Sequence, residues 1–126
     1  MSLTRFEVGI VSVDRGLVDF LAAVFELGEL PPTEHGPGTL YRLQSPGAVL
    51  KVMVPVVRPS APAPLPFLAA TGIRYLSVWV TDLDGVIGRA TARGGRLLHG
   101  PVDIGPGARL AVLSDPDGNT IEVIEE

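Results

Sequence analysis

The chain holds no cysteine, two histidines (His35 and His99) and a single lysine, Lys51, against nine arginines. That inventory narrows the chemistry at once. Thiolate metal sites, iron–sulfur clusters, disulfides and cysteine nucleophiles are excluded. An isolated histidine lacks the convergent partners a metal requires, so His35 and His99 are expected at the surface. The G-x-S-x-G elbow of a serine hydrolase is absent. Neither Gly36-Pro37-Gly38 nor Gly105-Pro106-Gly107 leads into the Lys-Ser/Thr and helix of a phosphate loop. What remains is carboxylate, ammonium and phenol chemistry: a Glu as general acid or base, a Lys charge that sets its protonation, and a Tyr that donates to a developing oxyanion.

The elements that must position such groups are short. The chain has 126 residues, 46% hydrophobic and 19% charged, enough to bury one domain's core. Gly 15 and Pro 12 imply many turns. A net charge of -4 without a basic patch argues against nucleic acid. No apolar run approaches the roughly 20 residues of a membrane span, and no signal peptide is recognisable at the start, so a cytoplasmic location is expected.

Phe6–Val13 is β-rich and ends at Asp14, a good N-cap. Leu17, Phe20, Leu21, Val24 and Phe25 recur at helical spacing, so Arg15–Leu27 is predicted helical, with Gly28 as its stop. Pro31 to Gly38 reads as a loop with at most a short strand. Strands are predicted over Thr39–Leu43 and Ala48–Val54, joined by a turn at Ser45-Pro46-Gly47. Residues 56–66 are a Pro-rich linker. The order then begins again. Ile73–Val80 is a strand, and Asp82 caps a helix with Leu83, Val86, Ile87 and Ala90 on one stripe. Arg96–Leu98 is a short strand, Arg109–Ser114 a longer one, Asp115-Pro116-Asp117-Gly118-Asn119 a turn and Thr120–Glu125 the last strand, its acidic end solvated.

A shift of 68 sets Glu7 on Tyr75, Val8 on Leu76 and Asp14 on Asp82. The chain is therefore an α+β repeat of two βαβββ modules, about 5–55 and about 67–126, within a single domain over 1–126.

These residues carry a resemblance. Tyr75-Leu76-Ser77-Val78-Trp79-Val80 with Asp82, then Gly94-Gly95, and above all Asp115-Pro116-Asp117-Gly118-Asn119-Thr120-Ile121-Glu122-Val123, resemble the vicinal oxygen chelate superfamily, the glyoxalase / bleomycin resistance / dioxygenase fold. The resemblance spans almost the whole chain. It implies a curved mixed sheet around a cup, and a homodimer. In metal-dependent members two His and two Glu supply the ligands; here those positions hold Glu7, Lys51, Tyr75 and Glu122. Only Glu122 matches. A protonated lysine cannot ligate, and its charge repels a divalent ion, so neither metal nor other cofactor is expected.

Strand alternation groups Glu7, Gly9 and Val11 on one face, Lys51 with Val49 and Met53, Tyr75 with Ser77 and Trp79, and Glu122 with Thr120 and Ile124. By the resemblance these faces line the cup. The expected ligand-binding set is Glu7, Lys51, Met53, Tyr75, Trp79 and Glu122, with Lys51 bridging Glu7 and Glu122. Two functions fit. One is a metal-independent protein that binds a small organic ligand, such as an antibiotic or another metabolite, by sequestration. The other is an isomerase- or lyase-like enzyme with Glu7 or Glu122 as general acid or base and Tyr75 as donor. A metal-dependent lyase or dioxygenase is disfavoured by the missing histidines, and a structural or regulatory domain stays open.

Overall fold

A computed structural model describes residues 2–60 and 66–126. Part of the Pro-rich segment, residues 61–65, therefore lies outside the described residues. The chain forms two compact units, residues 1–61 and 62–126.

The first unit contains β1 (Glu7–Val11), α1 (Gly16–Phe25), β2 (Gly28–His35), β3 (Gly38–Ser45) and β4 (Ala48–Pro55). Its sheet runs β1-β4-β3-β2, with β1 parallel to β4 and the other pairs antiparallel. The second unit repeats this with β5 (Tyr75–Val80), α2 (Leu83–Ala92), β6 (Arg96–Gly105), β7 (Ala108–Ser114) and β8 (Thr120–Glu125), in the order β5-β8-β7-β6. The fold class is thus α+β, two βαβββ modules. Among the described residues no helix is long and apolar enough to cross a membrane.

Each helix covers one face of its own sheet. Helix α1 packs on β3 through its buried stripe Leu17, Phe20, Leu21 and Val24, and Leu43 and Val52 are fully buried in this unit. Helix α2 buries Leu83, Val86 and Ala90, and Leu113, Ile121 and Val123 are buried in β7 and β8. The cap of α2 is the expected one: Asp82 accepts from Gly85 N at 3.0 Å. The N-terminal end of α1 differs. Arg15 occupies the cap position without a side-chain cap, and Asp14 accepts from Gly16 N at 2.8 Å from one residue earlier. Nor does Gly28 stop α1: Glu26 ends it in the left-handed conformation, φ 55, and Gly28 already opens β2.

Two further expectations are corrected. The stretch read as a loop, Pro31 to Gly38, mostly belongs to β2, an eight-residue strand. Prolines are tolerated there because β2 is the sheet edge, and Pro31 and Pro32 sit in the register shift between Leu30 and Thr33. Likewise Arg96–Leu98 extends to ten residues as β6, the other edge, interrupted by three register shifts. Gly100 lies in one of them at φ 85, where a Cβ would stand 2.6 Å from the Leu110 carbonyl oxygen, so only glycine fits.

The 115–119 turn closes on one buried side chain. Asp115 accepts from Asp117 N, Asn119 N and Asn119 Nδ2 at 3.0, 2.9 and 2.8 Å. Burial raises its pKa above the usual 3.8, against the opposing pull of the Asn119 hydrogen bonds. The folded chain therefore holds this proton more tightly than the unfolded chain. The contribution of Asp115 to stability is fully present below the unfolded value and is lost as the pH rises through the folded one. Thermal melts of wild type and Asp115→Asn from pH 3 to 7 should show the Tm difference moving in favour of the variant as the pH rises. A pH-independent difference would contradict this.

Candidate functional site

In the first unit the helix-free face of the sheet carries the chemistry. Register places residues in cross-strand rows on that face. One row is Gly9, Lys51, Arg42 and Leu30; the next is Val11, Met53, Leu40 and Thr33. A cavity of about 620 Å³ lies over the β1–β4 part of these rows and reaches Leu40, while Arg42, Leu30 and Thr33 stand outside its lining. Its floor is formed by Gly9, Val11, Leu40, Lys51 and Met53, and its rim by the β2–β3 hairpin tip at His35, Gly36 and Pro37. The lining is mainly apolar, with one fully charged group, the Lys51 ammonium.

Lys51 does not stand alone. Its Nζ lies 3.4 Å from Glu7 Oε2, while Arg5 Nε lies 3.3 Å from Glu7 Oε1. The Glu7 side chain is only 12% exposed and that of Lys51 36%, so the pair is partly desolvated. His35, expected merely at the surface, is exposed but also edges the cavity, its Nε2 3.0 Å from Thr33 Oγ1.

In the second unit Tyr75, Ser77 and Trp79 share the corresponding face of β5, with Tyr75 48% and Trp79 60% exposed. Phe67 meets Tyr75 edge-on, ring centroids 5.6 Å apart. Glu122 pairs with Ser77 across β5–β8 and accepts a hydrogen bond from its hydroxyl. Each unit thus gathers its own share of the expected set: Glu7, Lys51 and Met53 in the first, Tyr75, Trp79 and Glu122 in the second.

This donor set suits a divalent metal poorly. Lys51 already supplies the cation beside Glu7, and the Glu122 carboxylate is engaged by Ser77. Among the described residues no three His, Cys, Asp or Glu gather at metal-binding distance. Arg42, absent from the expected set, stands directly opposite Lys51 on the β3–β4 ladder.

The family model for the Glyoxalase/Bleomycin resistance protein/Dioxygenase superfamily matches residues 15–123. No curated protein matches the chain. Among solved structures, a glyoxalase family protein from Bacillus cereus is 20% identical, with TM-score 0.83, covering 100% of this chain and 96% of that one. TioX from Micromonospora sp. ML1 is 24% identical, TM-score 0.67, covering 97% and 98%. The genomically encoded fosfomycin resistance protein FosX from Listeria monocytogenes is 13% identical, TM-score 0.71, covering 100% and 95%. At these identities the likeness is one of fold.

Proposed function

Because the chain belongs to the glyoxalase/bleomycin resistance protein/dioxygenase superfamily, we propose that it is a metal-independent, cytoplasmic small-molecule-binding protein that sequesters an antibiotic or another metabolite. The observation that carries this reading is the first-unit cavity. Its volume of about 620 Å³ lies in the usual range for organic ligands, about 300–1,000 Å³, and its apolar floor with one charged group is the usual composition of such sites. The name of one structural neighbour, a fosfomycin resistance protein, is consistent with an antibiotic as ligand. An acid–base role for Glu7 or Glu122 has less support, since Glu7 is held between two cations and Glu122 by a hydroxyl.

The test is a thermal-shift screen of antibiotics and metabolites on protein dialysed against EDTA. A ligand at about a hundred times its Kd stabilises the native state by about 2.7 kcal/mol, a shift of several degrees. No shift from any compound, or a shift only when zinc, iron or manganese is restored, would contradict the reading.

We also propose that the chain acts as a homodimer. Tyr75 and Trp79 on β5 and Leu97, Leu98 and Ile104 on β6 are all exposed, and β5 and β6 are sheet edges. Sedimentation at micromolar concentration should give about twice 13.3 kDa; a single 13.3 kDa species would reject the dimer.

A further inference from the structure

We propose that the first-unit cavity selects a small organic oxyanion, a carboxylate or phosphate on an apolar body, whose anionic group sits at Lys51, beside Arg42 in the same row, and whose body lies on the bare strand at Gly9. The proposal deepens the ligand-binding reading and rests on it.

Three observations converge on one row of the sheet. First, Lys51 and Arg42 are directly opposite on an antiparallel ladder, so two cations face the same side. Like charges so placed repel, and a strand pair keeps them at a cost unless something anionic joins them. Glu7 does not cancel both, because Arg5 already holds its other oxygen. Second, Arg42 Nε is buried and has no hydrogen-bond partner among the described residues. A guanidinium whose buried Nε lacks an acceptor leaves its positive charge uncompensated beside the row, and an oxyanion at the neighbouring Lys51 is the natural complement of that charge. Third, a Cβ at Gly9 would meet nothing within 4 Å, and its φ is not in the left-handed region. Neither packing nor backbone geometry demands glycine there. A glycine inside a strand with open space above it leaves room for a ligand to come close to the backbone.

The cavity lining contains no Asp or Glu, whereas the chain as a whole carries -4. Long-range electrostatics disfavour anions, so anion selectivity at this row must come from local contact. Val11, Leu40 and Met53 offer the apolar wall for the ligand body.

The probes are two dyes that share an aromatic body: anilinonaphthalenesulfonate, an oxyanion, and neutral N-phenylnaphthylamine. Each is titrated by fluorescence into wild type, Lys51→Met, Lys51→Arg and Arg42→Met. Wild type should bind the sulfonate at least tenfold more tightly than the neutral dye. Lys51→Met and Arg42→Met should each erase that preference while leaving the neutral dye unchanged, and Lys51→Arg should keep it. Arg42→Met should also melt about 2–5 °C higher, because it removes one of two cations set opposite each other on the ladder and a buried donor without an acceptor. A purely structural arginine would show the opposite sign. Equal binding of both dyes by wild type, or a preference that survives both methionine variants, overturns the oxyanion inference and leaves ligand binding standing. Failure of wild type to bind either dye overturns both.

Discussion

Leu43→Ala is expected to lose about 2–5 kcal/mol of stability in urea unfolding. Leu43 is fully buried in β3, on the face covered by α1. The helix stripe and Val52 are buried in the same unit. Truncation removes the transfer energy of several carbons and leaves a cavity that a sheet anchored on both sides cannot collapse to fill. The variant should retain its m-value if the unit unfolds as a whole. A loss below about 1 kcal/mol would mean that α1 and β3 are not the rigid base on which the pocket row is held.

Gly9→Leu changes the opposite face of the same sheet and should behave in the opposite way. The new side chain enters open space, and leucine suits a strand better than glycine, so the melting temperature should hold or rise slightly. Binding should suffer instead. Gly9 forms the cavity floor beside Lys51, and a leucine there occupies the volume a ligand needs. Affinity for anilinonaphthalenesulfonate should fall at least tenfold, a loss of about 1.4 kcal/mol or more. Unchanged affinity in a stably folded Gly9→Leu protein would remove the ligand from this surface.

Much of the frame is legible in the residues because it rests on local chemistry. Asp82, the 115–119 turn and the helical stripes announce themselves through capping, turn preference and period. The edges are less legible. Pro31, Pro32, Gly100 and Pro101 break strand rules that hold in a sheet centre, and only the topology reveals that β2 and β6 are edge strands where bulges absorb them. Alternation put Lys51 and Met53 on one face, which the cavity lining shares. Arg42 carried a readable signal too. A two-residue turn at Pro46-Gly47, with Gly47 at φ 79, sets the ladder that places 42 opposite 51. The burial of its Nε had none, since burial of a single atom is a property of packing. His35 was hidden for a related reason: it reaches the cavity rim only because β2 is a strand.

The most direct test of metal-free binding at the Gly9–Lys51 surface is one titration of anilinonaphthalenesulfonate into EDTA-dialysed protein, wild type and Gly9→Leu side by side. Saturable binding to wild type that is unchanged when divalent metal is added back, and at least tenfold weaker in Gly9→Leu, is the predicted result. Binding that appears only with metal, or that is the same in both proteins, would contradict it.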